Sequence, residues 1–195
     1  MFSIGFKCYE YYTYSKNDHS DDQWEKKLSG IFHADYTNDD MQRGTQFEST
    51  ALEVFAASGV ELYRCGFIVN KHIPIFGYSP DALIFSDGEW RLVEVKCPKP
   101  QKSENELIVH CKRFLKRDEN GEVQLKKKCP YYGQVQLGMF LTHTQKCHFL
   151  VHRVHEKQNI KINVDYHPNF VHDSLQNLVK VYFQRYLPYV QKYYN

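Results

Sequence analysis

Apolar positions Phe47, Ala51, Leu52, Val54 and Phe55 recur at helical spacing within residues 43–58, and Gly59 stands where such a helix would stop. The run ELYRCGFIVN reads as β, and KHIPIFGYSPD is rich in turn formers. DALIF and WRLVEVK read as two strands joined by the Ser86-Asp87-Gly88 turn, which predicts a hairpin. A basic helix fits residues 104–116, and Asn120-Gly121 marks a turn before the strand EVQL. Residues 131–143 read as a helix despite two glycines. KCHFLVHRV and NIKINVDY read as strands, followed by a long amphipathic helix over residues 170–194 with a break expected at Pro188. Residues 1–40 are polar, tyrosine-rich and acidic, which predicts irregular structure with a short helix around residues 24–28. Helix, strands, helix, strands, helix is the order of an α/β (α+β) domain with a mixed central sheet flanked by helices.

The chain of 195 residues suits a single domain: an irregular segment 1–40, a core 41–165 and a C-terminal helix 166–195. No stretch approaches the length of a membrane span and no signal core stands at the start, so an intracellular protein is expected. The six scattered cysteines contain no CxxC pair, which predicts free thiols rather than a disulfide framework. Net charge is only +2, but its distribution is uneven. Residues 1–60 carry 5 basic against 10 acidic side chains, and residues 96–128 carry 10 against 5. A basic second half suits a polyanion as well as a plain solvated surface.

In a strand over WRLVEVK, Glu94 and Lys96 point to one side while Val93 and Val95 point to the other. Asp81 opens the preceding strand and can bring a second carboxylate to the same edge. Such a set suits Mg²⁺, which takes hard oxygen ligands, often one or two carboxylates completed by water and phosphate. By itself the ExK spacing also suits an ion pair on an edge strand. Cys147, His148, His152 and His155 crowd together, but on a strand His148 and His152 share a face that His155 does not, which argues against zinc.

Three motifs in order carry a family resemblance. MQRGTQFESTAL resembles a G-x-Q-x-E helix, SPDALIFSDGEWRLVEVKCP an SPDG…ExKCP core, and YYGQVQLGMFLT a Y-x-x-QVQ helix. Together they resemble the PD-(D/E)XK nucleases, in the branch of phage lambda exonuclease and the YqaJ-like viral recombinases. The likeness covers roughly residues 41–155. It implies a restriction-endonuclease-like core. Asp81 and Glu94 would be metal ligands with the backbone carbonyl of Val95, and Glu48 would support the metal directly or through water. Lys96 would position the attacking water, Gln134 would hydrogen-bond within the site with Tyr131 nearby, and Ser79 would contact a DNA phosphate. Ala82 stands where the family has glycine, and the family's N-terminal arginine and T/S-A-S element, which grips a 5′ phosphate, has no match in residues 1–40.

The resemblance implies a Mg²⁺-dependent DNA exonuclease, with Mn²⁺ able to substitute, working 5′ to 3′ on double-stranded DNA in recombination or end processing. It further implies a single-strand annealing partner, a ring-shaped homotrimer and no membrane. The compartment would be nucleus or infected cell in a eukaryotic setting, and cytoplasm in a bacterial or phage one. A structure-selective or nicking endonuclease on the same site stays open, as does a catalytically silent DNA-binding module. Lys112, Arg113 and Lys116 are expected on one helical face contacting backbone phosphates.

Overall fold

In this computed structural model, residues 2–3, 6–32 and 39–194 are described. In chain order they form β1 (Phe2–Ser3), α1 (Phe6–Tyr14), α2 (Asp21–Phe32), α3 (Asp39–Ala56), β2 (Leu62–Tyr63), β3 (Ile68–Val69), β4 (Phe76–Tyr78), β5 (Ala82–Ser86) and β6 (Glu89–Lys96). Then come α4 (Glu104–His110), β7 (Leu115–Arg117), β8 (Val123–Leu125), α5 (Pro130–Thr142), β9 (Lys146–Arg153), β10 (Gln158–Asp165), α6 (Pro168–Val181), a π-helical turn (Tyr182–Tyr186) and α7 (Leu187–Tyr194). The main sheet has the order β10-β9-β6-β5-β2. Three of its pairings are antiparallel and one, β6 with β9, is parallel, so the sheet is mixed as expected.

The hairpin forms as anticipated. Ser86 pairs with Glu89, leaving Asp87 (φ 55) and Gly88 (φ 77) as a two-residue turn whose left-handed backbone matches the twist of the flanking strands. From β6 the chain crosses over through α4, β7, β8 and α5 before β9 returns parallel to it. Both faces of the sheet are thereby covered. On one side α3 sets Ala51, Leu52 and Phe55 against Ala82, Ile84, Val93, Val95 and Leu150. On the other side α5 brings Val135 and Met139 into one apolar cluster with Leu92, Phe149 and Val151. A smaller sheet, β1-β4-β3, completes the strands that pack on α5.

Several expectations fail. Residues 6–14 are helical, not irregular, and the short helix expected around residues 24–28 forms but extends over 21–32. Their buried positions are Cys8, Tyr11, Tyr12, Trp24 and Leu28, so tyrosine supplies much of the apolar stripe that a polar reading of tyrosine hides. Residues 1, 4–5 and 33–38 of that segment lie outside the described residues. The ELYRCGFIVN run holds two short strands in different sheets, and turn-rich KHIPIFGYSPD contains β4. The basic helix stops at His110, capped at Cys111. Leu115 then pairs with Leu125 in a separate hairpin, because burying these two leucines stabilises more than two further helical turns of exposed lysine. Lys112 and Lys116 therefore do not share a helical face. The last helix is not broken at Pro188. It widens into the π turn, where the Leu187 N–H reaches back to the Tyr182 carbonyl, so Pro188 is accommodated one residue later.

All six cysteines are free. Among the described residues no helix is long and apolar enough to cross a membrane.

Candidate active site

Strand β6 alternates as its sequence requires, with Leu92, Glu94 and Lys96 toward α5 and Val93 and Val95 toward α3. Glu94 is 1% exposed. A carboxylate so buried needs donors, and three side chains supply them. Lys96 Nζ donates to Oε1 at 2.6 Å and Gln134 Nε2 donates to the same oxygen at 2.5 Å. The Tyr78 hydroxyl donates to Oε2 at 2.5 Å. Gln134 projects from the first turns of α5, whose N-cap is Cys129 and whose first residue is Pro130.

Asp81 lies just before β5 and accepts a hydrogen bond from the Val95 N–H at 2.6 Å. That bond ties it to the middle of the Glu94–Lys96 segment. Burial, and next the negative charge of Glu94, push the Asp81 carboxyl up to about 8. Burial alone would lower Lys96, but the Glu94 and Asp81 carboxylates outweigh it and hold the ammonium above its ordinary value. Burial, and then the charge of Glu94, raise Tyr78 well above an ordinary tyrosine, so its hydroxyl remains a donor.

The other anticipated residues sort into near and outlying. Glu48, on α3, stands close enough for its charge to raise Asp81 further. Tyr131 sets its ring 5.0 Å from Lys96 Nζ. Ser79 is exposed in the loop between β4 and Asp81. Lys112 and Arg113 lie in the turn between α4 and β7, and Lys116 lies on β7. Phe114, beside Arg113 in the chain, sets its ring centroid 4.8 Å from that of Tyr131. The Phe114 carbonyl accepts from the Lys126 N–H at 2.8 Å, which brings Lys126–Lys128 to the same end of the hairpin as Lys112 and Arg113. Among the described residues no acidic side chain pairs with Lys112, Arg113, Lys116, Lys127 or Lys128, whereas Arg117 is held by Glu104.

Sequence reasoning passed over Tyr78 and Phe114. The first sits in a segment read as turn, and the second in one read as helix. The only signal was their aromatic character.

The histidines have other partners. Nδ1 of His148 pairs with Asn163 and Nδ1 of His152 with Asn159, each at 2.8 Å across to β10. Among the described residues no three His, Cys, Asp or Glu side chains gather as a ligand set. The site thus offers two neighbouring carboxylates, Asp81 and Glu94. Two neighbouring carboxylates are hard oxygen donors whose charge a dication would offset, so the donor set fits Mg²⁺.

A mixed sheet whose central strands bring two carboxylates and a lysine together, crossed by a helix that delivers a glutamine, defines the restriction-endonuclease-like class. The chain belongs to the YqaJ-like viral recombinase domain family, whose sequence model matches residues 7–145. Its fold is similar to that of an alkaline exonuclease, LHK-Exo, from Laribacter hongkongensis, with TM-score 0.67 at 18% identity over 96% of this chain and 89% of that one. A structure of LHK-Exo in complex with dAMP gives TM-score 0.66 at 18% identity, over 93% and 88%. A phage-related exonuclease from Haemophilus somnus 129PT gives TM-score 0.60 at 13% identity, over 90% and 84%. No curated protein sequence matches the chain.

Proposed function

We propose that this chain is a Mg²⁺-dependent deoxyribonuclease that degrades double-stranded DNA from an end in the 5′ to 3′ direction, with Mn²⁺ able to substitute. The observation that carries this reading is the convergence of Asp81, Glu94 and Lys96, with Gln134 and Tyr78 closing around Glu94. Membership of the YqaJ-like family and the fold shared with exonucleases, one of them seen with a deoxynucleoside monophosphate, support it.

Asp81 and Glu94 would hold the ion together with the Val95 carbonyl, and Glu48 would support it directly or through water. When bound, the ion would neutralise the scissile phosphate and make a bound water more acidic. Lys96 keeps its proton because two carboxylates face it. Its charge would offset negative charge developing on the phosphate, and its remaining N–H directions would orient the attacking water. Gln134 and Tyr78 hold the Glu94 carboxylate in place.

Ser79, Tyr131, Lys112, Arg113 and Lys116 would contact the DNA. The exposed cations beside Phe114 suit phosphates and read no bases. The reading extends, through the resemblance, to a ring-shaped homotrimer, a single-strand annealing partner and a role in recombination; light scattering of the purified protein tests the first. End-labelled linear duplex and covalently closed circles, each with Mg²⁺ and with EDTA, test the activity. Loss of the 5′ label from linear DNA with Mg²⁺ only, circles intact, is the expected outcome. Cleavage of circles would convert the reading to an endonuclease, and full activity in EDTA would end the metal-dependent one.

A further inference from the structure

Tyr78 belongs to none of the three motifs, yet it holds the central carboxylate. A carboxylate offers about four lone-pair directions. Oε1 of Glu94 spends both of its directions on Lys96 and Gln134. Oε2 spends one on Tyr78. A single direction, on Oε2, is left.

The hydroxyl that sets this arrangement has little freedom. Tyr78 is 1% exposed and sits on β4, paired with Ile68 of β3. Its ring lies directly on α5 at Gly138, where a β-carbon would stand 2.7 Å from Tyr78 Cζ and 3.0 Å from its hydroxyl oxygen. Any side chain at 138 would therefore displace the ring that carries the hydroxyl. The last torsion of a glutamate is broad and weakly restrained by itself, so the orientation of the carboxylate plane must come from its donors.

We propose that Tyr78 is a positioning residue: seated against Gly138, its buried hydroxyl fixes the Glu94 carboxylate so that one Oε2 lone pair is presented to a divalent cation shared with Asp81. This rests on the reading of Asp81 and Glu94 as metal ligands. Without the hydroxyl, Glu94 keeps its two Oε1 donors but can turn about them, and the cation meets a ligand that must be ordered on binding. The cost falls on metal affinity and on turnover, not on the grip on DNA. Partners that orient a ligand in this way are worth roughly 10- to 100-fold in metal affinity or activity.

The test uses the full chain and Tyr78→Phe, which removes one oxygen and keeps the ring. Mn²⁺ is titrated against the melting temperature without DNA, and kcat and KM are measured on linear duplex. The expected result is a Mn²⁺ midpoint raised about 10-fold and kcat lowered about 10-fold, with KM for DNA within about twofold. Gly138→Ala, which keeps the hydroxyl but pushes the ring, should move the same quantities in the same direction; if one variant fails to fold, the other decides. A control at Leu178, fully buried in the α6 part of the core, separates general softening from positioning. Leu178→Val should lower the melting temperature and leave the Mn²⁺ midpoint unchanged. Unchanged midpoint and kcat in Tyr78→Phe would overturn the positioning role and leave the metal site standing. A parent protein whose melting temperature does not respond to Mn²⁺ would overturn both.

Discussion

Lys96 and Lys112 carry the same charge on the same four-carbon stem in opposite surroundings. Lys96 is packed between Glu94 and the Tyr131 ring, with a hydrogen bond at 2.6 Å and two carboxylates raising its proton affinity. Lys112 and its neighbour Arg113 are exposed in a turn, with no acidic partner among the described residues. Phe114 and Tyr131 lie between the two groups. A cation that must act on charge developing at one atom is useful only if its position is settled beforehand, and burial with matched partners settles it. A cation that only has to hold a polyanion loses by such pairing, because an internal carboxylate competes with phosphate. The comparison separates chemistry from grip.

The largest effects should fall on the buried side. Asp81→Asn, Glu94→Gln and Lys96→Ala should each lower kcat by about 100-fold or more, with DNA affinity changed little. Quench-flow turnover at saturating duplex checks this, and a near-normal rate in Lys96→Ala would remove that lysine from the chemistry. Lys96→Ala also leaves Glu94 with two neutral donors, which should cost about 2 kcal/mol of stability. Glu48→Gln should be milder.

Next comes the link between the regions. Phe114→Ala removes a half-buried ring lying against Tyr131 and Phe149. A loss of about 2 kcal/mol by denaturant melting is expected, below the full cost of a buried phenylalanine. If grip and chemistry are coupled through this ring, kcat and DNA affinity fall together; if only affinity moves, the regions work independently.

Neutralising Lys112, Arg113 and Lys116 together should weaken duplex binding roughly 10-fold while leaving kcat at saturation intact. The slope of log K against log salt should flatten by about 0.9 for each phosphate no longer neutralised. Because Lys116 sits on β7, apart from the cations at the hairpin base, Lys116→Ala alone should do least. An unchanged slope would assign these cations to solubility alone.

The smallest effect lies outside both regions. His148 is buried and bonded to Asn163 on the sheet face away from Glu94, and burial foremost lowers its proton affinity. A histidine lowered in the fold takes its proton first when unfolded. Its contribution is intact above about pH 6.5 and is lost as pH falls below that value. His148→Gln should therefore flatten the decline in melting temperature between neutral and mildly acidic pH, without altering turnover.

What the sequence determined is whatever depends on near neighbours. Strand alternation alone puts Glu94 and Lys96 on one face and Val93 and Val95 on the other. The Asp87-Gly88 turn forces the hairpin that brings Asp81 level with them, and the helix carrying Glu48 shows in its own periodicity. The order of elements was enough for a mixed, helix-flanked sheet. What only the tertiary structure decided is what rests on distant partners. Two leucines ten residues apart pair across β7 and β8 and end the basic helix early, separating Lys112 from Lys116. Tyrosines that a local reading counts as polar become the buried stripe of α1, because α5 and α6 are there to receive them. Tyr78 reaches Glu94 from 16 positions away only because Gly138, on a third element, leaves room for its ring. Local periodicity records which face a side chain takes, but the partner on that face is set by packing, and the donors around Glu94 come from three separate elements.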